Sequence, residues 1–183
     1  MNSNERDPRE LLIDWLNLYS VHSGEEFTLS SGQKSNVYVD VKKTALHGRV
    51  SKLLAKLLCD KMVQEFGMVE AVAGVVLGGC HLASIVAMYH PHDIHTVHVR
   101  KEIKEHGTQQ LVERPIMIKD MHLVVLEDVV TTGTSALRAA NILRDSGYDV
   151  KGILAVVDRR PRKSNMLGWF QFAALVNFEE LTP

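Results

Sequence analysis

Cysteine is scarce in this chain, and the two residues present exclude more than they suggest. Cys59 and Cys80 have neither the spacing of a metal-ligand set nor the density of a disulfide-stapled secreted scaffold. An excess of either charge is missing too: Lys and Arg total 21, against 22 for Asp and Glu. That balance argues against a general nucleic-acid or membrane-surface binder, although local clusters still matter. No apolar run is long enough to cross a bilayer, and Met1 to Glu10 is polar rather than signal-like. The expectation is a soluble cytoplasmic protein with no nucleic-acid and no membrane partner. Internal repeats and low-complexity linkers are lacking, and 183 residues suit one domain with a sizeable core. Neither of the commoner nucleotide loops occurs: there is no Gly-x-x-x-x-Gly-Lys-Ser/Thr, and no Gly-x-Gly-x-x-Gly follows a strand.

What stands in their place is Val124-Val125-Leu126-Glu127-Asp128-Val129-Val130-Thr131-Thr132-Gly133-Thr134-Ser135. An apolar stretch delivers two adjacent carboxylates, then a hydroxyl-rich loop with one glycine, then a helix-like segment from Ala136 to Ser146. A loop that opens into a helix aims free N–H groups and a positive dipole end at one point, which suits a phosphate. Gly133 can take the backbone geometry of a tight anion-cradling turn. Thr131, Thr132, Thr134 and Ser135 add hydroxyl donors without charge. The carboxylates suit ribose hydroxyls, which donate hydrogen bonds, or magnesium, which takes oxygen ligands. The bland alternative for an acid at a strand end is a helix cap.

The remaining pattern is an α/β alternation. Asp7-Pro8 reads as an N-cap and a first-turn proline, followed by Leu11, Leu12, Trp15, Leu16 and Tyr19 at helical spacing. Phe27 to Val41 reads as extended chain broken by the turn Ser30-Ser31-Gly32. Leu53, Leu54, Leu57, Leu58 and Met62 mark a second amphipathic helix. Strands are predicted at Ala71–Val76, Ile94–Arg100, Leu123–Leu126 and Val150–Val157, with helices at Gly79–Tyr89 and up to Ser146. Strands separated by helices imply a parallel sheet flanked by helices, with right-handed crossovers. Roughly the first 45 residues and those after Gly168 fall outside this repeat and are expected to form an accessory subdomain.

A second cluster is Arg100-Lys101-Glu102-Ile103-Lys104-Glu105-His106-Gly107. A charge run is ordinarily a solvated surface loop. Beside a phosphate site the same run gains a purpose, since a diphosphate needs Arg forks and Lys point charges to hold it. The histidines His90, His92, His95 and His98 are dense, but Pro91 interrupts them and they lack carboxylate or thiolate partners, so no protein metal site is predicted.

Glu127 to Ser135 resembles the phosphoribosyl diphosphate (PRPP) signature of the type I phosphoribosyltransferases. Arg-Lys-x-x-Lys-x-His-Gly ahead of it is similar to the orotate phosphoribosyltransferase family. So are Phe27-Thr28-Leu29-Ser30-Ser31-Gly32 with Ser35 and Tyr38-Val39-Asp40, which match a base-binding hood, and Asp158-Arg159. Four motifs stand in family order from Leu11 to Arg159. The resemblance implies a single domain over residues 1–183, with a core of about 48–160 and a hood of about 1–45 plus part of 168–183. It also implies transfer of phosphoribose from PRPP to orotate, giving orotidine 5'-monophosphate and diphosphate in pyrimidine (UMP) biosynthesis.

Carried over by position, Glu127 and Asp128 would hold ribose hydroxyls, Thr131, Thr132, Gly133, Thr134 and Ser135 would hold the 5'-phosphate, and Val129 and Val130 would complete the PRPP contacts. Thr131, Arg159 and Tyr38 would meet orotate. Arg100, Lys101, Lys104 and His106 would bind the leaving diphosphate. Arg100, Lys104, His106 and Asp128 form the expected catalytic set. Magnesium is the implied cofactor, held mainly through PRPP and water, and the implied unit is a homodimer in which Lys104 and His106 reach the neighbouring subunit's site. Ser30 stands where many relatives carry lysine and Gly78 where some do, and Lys42 and Lys43 are candidates to restore positive charge. A phosphoribosyltransferase for another base, or a non-catalytic PRPP-sensing regulator on the same fold, would share most of these residues.

Overall fold

The Asp7 carboxylate accepts from the Arg9 N–H at 3.0 Å, and Pro8 follows it into α1 (Pro8–Tyr19), as the cap signal predicts. The computed structural model describes residues 6–28, 32, 34–100, 110–115, 120–161 and 167–182. After α1 the chain forms an antiparallel ribbon of β1 (Val21–Thr28) and β2 (Lys34–Val39), with Val21 opposite Val39 and Thr28 opposite Lys34. The extended stretch thus begins at Val21, not Phe27. Both faces of β1 are largely exposed, so Val21 to Glu26 carries no apolar alternation to reveal it.

Val41 is helical rather than extended: it opens the short α2 (Val41–Ala45), which sequence periodicity is too brief to expose. Tertiary contacts hold α2. The Ser20 hydroxyl donates to Thr44 Oγ1 at 2.6 Å, and Thr44 donates onward to the Trp15 carbonyl at 3.0 Å. These bonds satisfy polar groups that are fully buried.

The core follows as α3 (Gly48–Phe66), β3 (Ala71–Val75), α4 (Gly78–Tyr89), β4 (His95–Val99), β5 (Val112–Glu113), β6 (His122–Val130), α5 (Thr134–Asp145), β7 (Asp149–Asp158) and β8 (Gln171–Asn177). A turn of 3-10 helix, Phe178–Glu180, ends the described secondary structure. The main sheet has the order β5-β4-β3-β6-β7-β8, parallel except for the two-residue edge strand β5. Strand side chains alternate between faces. Val72, Val124, Leu126 and Leu154 therefore pack with Leu54, Leu58, Leu82 and Val86 of α3 and α4. Ala73, Leu123, Val125 and Ile153 pack with Ala136, Ala139, Ala140 and Leu143 of α5.

Two differences from expectation bear on the site. Strand β6 runs through Val130 instead of stopping at Leu126, because β7 pairs with it as far as Val130 opposite Asp158. Residues 171–177 belong to the main sheet as a parallel edge strand, where an accessory segment was expected. No helical periodicity precedes β8 to mark another crossover, so its membership depends on pairing with β7. Among the described residues no helix is long and apolar enough to cross a membrane.

Candidate active site

The chain leaves β3 toward β4 on one side and returns to β6 on the other, so the strand order reverses between β3 and β6. Ligands in open α/β sheets sit beyond the carboxyl ends of the strands at such a reversal. A cleft of about 610 Å³ lies there, lined by Val76, Leu77 and Gly78, by residues 127–136, and by Thr28, Tyr38, Val39, Lys42 and Arg159. The signature, the hood ribbon and the arginine after β7 therefore meet in one place.

Glu127 and Asp128 are the antepenultimate pair of β6 before Val129 and Val130. Glu127 is buried, whereas the Asp128 side chain is 20% exposed. The Asp128 carboxylate accepts from the Val129 N–H at 2.9 Å. Gly78 crowds it from the first turn of α4: a Cβ there would run into the Asp128 carboxylate, so a lysine at this position would require that acid to move. The Val130 side chain is buried and its carbonyl accepts from the Arg159 N–H at 2.8 Å.

Thr131 to Gly133 make the turn. Gly133 has φ of +79°, a left-handed conformation that glycine adopts without steric cost, and caps α5. The first helical bond is Leu137 N–H to the Gly133 carbonyl at 2.8 Å. The preceding N–H groups are not used by the helix, and Thr134, Ser135 and Ala136 line the cleft. Thr132 Oγ1 and Thr134 Oγ1 are 3.0 Å apart, which ties the hydroxyls of the turn together. In Gly133→Ala the residue would hold an unfavourable positive φ and its new Cβ would lie 2.6 Å from Leu167 Cδ2. The expected loss is ~1–2 kcal/mol, or about 2–8 °C in a thermal melt. An unchanged melting temperature would contradict this account of the turn.

Lys42 is the site residue that sequence reading left undecided. It projects from α2 into the cleft, 2.7 Å from Asp40 and 3.7 Å from Asp128 Oδ2. Burial pulls its pKa down, but the hydrogen bond to Asp40 and the charges of Asp128 and Asp40 outweigh that, holding it above the ordinary lysine value. Lys43 is exposed and does not line the cleft. The only available signal was that Lys42 lies two residues beyond the hood motif; its reach to Asp128 depends on how α2 packs.

Tyr38 stacks against Phe27 with ring centroids 5.6 Å apart and lines the cleft from β2. Arg159 also lines the cleft, and burial lowers its pKa from the usual value. Its neighbour Asp158 does not pair with it: Asp158 accepts from Arg160 Nε at 2.9 Å and Nη2 at 2.8 Å. Burial, then the nearby Glu127 charge, raises the Cys80 thiol pKa, which disfavours the reactive thiolate.

Arg100 departs from the expected grouping. Its side chain donates to Glu113 Oε1 at 3.0 Å from Nε and 2.8 Å from Nη2, and it does not line the cleft. The reason is β5, which pairs with β4 and brings Glu113 alongside. Lys101, Lys104 and His106 lie outside the described residues, as do Ser30 and Ser31 of the hood motif.

The fold and cleft define a class: residues 45–172 match the phosphoribosyl transferase domain family. The orotate phosphoribosyltransferase of Corynebacterium glutamicum is 39% identical over 159 residues, covering 86% of this chain and 84% of that one. The orotate phosphoribosyltransferase of Pyrococcus furiosus is 41% identical over 133 residues, covering 73% and 71%. The solved Mycobacterium tuberculosis orotate phosphoribosyltransferase in complex with PRPP is similar with a TM-score of 0.76 and 26% identity, covering 95% of this chain and 98% of that one. The chain belongs to the orotate phosphoribosyltransferase family.

Proposed function

We propose that the cleft between the ends of β3 and β6 carries the family's reaction, orotate plus PRPP giving orotidine 5'-monophosphate and diphosphate. The observation that supports it best is the meeting of a carboxylate pair, an open helix N-terminus and a half-buried arginine around one cavity. Glu127 and Asp128 accept hydrogen bonds from the ribose hydroxyls. The N–H groups and hydroxyls of residues 131–135 hold the 5'-phosphate at the N-terminus of α5. Val129 and Val130 contribute backbone to that wall.

Arg159 pairs with the orotate carboxylate through its planar fork. The Tyr38 ring covers the base and the Thr131 hydroxyl hydrogen-bonds to it. As diphosphate leaves C1 of the ribose, positive charge builds on the sugar, and the fixed base nitrogen attacks from the opposite face. The protein's work is positioning and electrostatics rather than covalent catalysis.

Lys101, Lys104 and His106 bind the departing diphosphate, with Lys104 and His106 supplied across a homodimer. Arg100 joins them only by exchanging Glu113 for phosphate oxygens. Magnesium fits the donor set. Asp128 and Glu127 offer hard oxygens on the cleft wall, and Asp128 already stands 3.7 Å from one cation, the Lys42 ammonium. With those carboxylates engaged by the ribose hydroxyls, PRPP and water oxygens would supply most of the ion's ligands. When bound, the ion supplies positive charge against the leaving group.

The test is orotate consumption followed spectrophotometrically with PRPP and magnesium, against adenine and xanthine. Orotate alone should be consumed, in an amount matching the diphosphate formed, and chelation of magnesium should stop the reaction. No orotate loss by folded protein under these conditions would overturn the reading.

A further inference from the structure

Arg159 is braced from two distant parts of the chain. Its Nη2 donates to the Ser35 hydroxyl on β2 at 2.7 Å. Its Cζ stands 4.4 Å from the centroid of the Phe178 ring, within cation–π range. Each brace is itself fixed. The Ser35 hydroxyl donates to the Val37 carbonyl at 2.9 Å and lies 3.1 Å from the Val37 N–H.

Phe178 opens the 3-10 turn, which is closed by a capping box between Asn177 and Glu180. The Asn177 N–H donates to Glu180 Oε2 at 2.8 Å. Arg9 on α1 grips the same carboxylate, with Nη2 2.6 Å from both oxygens, while its Nε donates to the Leu175 carbonyl at 2.8 Å. A continuous set of contacts therefore runs from α1 through the C-terminal turn to the face of the Arg159 guanidinium. Phe178 is not among the residues that line the cleft.

An arginine side chain has many rotamers, and ordering it when a ligand binds reduces affinity. A guanidinium held by a hydroxyl at one N–H and by an aromatic ring at its face has lost that freedom beforehand. The remaining N–H groups of the fork can then meet a planar carboxylate. We propose that Phe178 and Ser35 are positioning residues for Arg159, making the C-terminal turn part of the apparatus that selects a base bearing a carboxylate. The inference rests on the reading that Arg159 meets the orotate carboxylate.

The experiment measures steady-state kinetics for orotate and PRPP separately in Phe178→Leu, Phe178→Tyr, Ser35→Ala and Arg159→Leu, each checked by thermal melt. Phe178→Leu should raise the orotate KM about five- to ten-fold, with kcat and the PRPP KM within about two-fold of wild type. Phe178→Tyr, which keeps the ring face, should restore the orotate KM. Ser35→Ala should raise it about three- to ten-fold and tests the brace independently if Phe178→Leu does not fold. If Arg159→Leu impairs orotate use while Phe178→Leu and Ser35→Ala leave the orotate KM unchanged, the brace is refuted and the reading of Arg159 stands. Equal rises in both KM values would also refute it, because general damage to the site has no preference for the base. If Arg159→Leu itself leaves orotate use intact, the underlying reading fails.

Discussion

Arg159→Leu should lower kcat/KM for orotate by about a hundred- to a thousand-fold, and with it the preference for orotate over uracil. Uracil lacks the carboxylate that Arg159 is proposed to meet, so the wild-type enzyme should use orotate and leave uracil essentially untouched. Truncating one partner of a desolvated, hydrogen-bonded charge pair costs ~2–5 kcal/mol, and each ~1.4 kcal/mol is a factor of ten. The hundred- to thousand-fold loss corresponds to the middle of that range. Burial already lowers the Arg159 pKa, and the Ser35 and Phe178 contacts hold the guanidinium at the cleft. Uracil turnover should change little in the variant, because the lost interaction was never made with it. The measurement is kcat/KM for both bases in both proteins. Equal use of the two bases by the wild-type enzyme would sink the assignment of Arg159.

Lys104→Ala and Asp128→Ala should each be nearly inactive alone, yet regain activity when their subunits are mixed. Removing one group that stabilises transition-state charge costs about a hundred- to a thousand-fold in turnover. Lys104 should affect turnover far more than PRPP binding, since its charge matters most as diphosphate departs. Asp128 belongs to the cleft of its own subunit. With Lys104 supplied across a two-fold dimer, each mixed dimer has one site with both residues intact and one with neither. Random pairing of equal amounts makes about half the dimers mixed, so roughly a quarter of wild-type activity should return. Tagged pull-down must first establish subunit exchange. An absence of recovery after that would mean the basic loop serves its own subunit.

The Gly133 substitution separates the phosphate turn from these charge effects, since it alters backbone strain and packing against Leu167 while removing no charged group. It should therefore depress the melting temperature where Arg159→Leu and Lys104→Ala are read mainly in kinetics.

Much of this molecule was legible before any fold was in hand, and the legible parts share a cause. Helix α1, the α/β alternation and the turn at Gly133 depend on caps, periodicity and backbone permissiveness, all of which act within a few residues. The carboxylate pair and the hydroxyl turn could likewise be assigned because they are contiguous. The boundaries of β6, the membership of β8 in the main sheet and the existence of α2 were not legible. Each depends on a pairing or packing partner remote in sequence: Asp158 for Val130, Ala174 for Ala155, Trp15 for Thr44.

The same division runs through the site. Sequence alone determined which chemistry was on offer: an acid pair, a phosphate-cradling turn, a basic run and one arginine after a strand. Only the tertiary structure decided how those charges are paired. It turned Lys42 toward Asp40 and Asp128, gave Arg100 to Glu113, and braced Arg159 between Ser35 and Phe178. Residue types and spacings report what a side chain can do, whereas the strength of a charge depends on its distance from others and on its burial. Those quantities exist only once distant segments have packed.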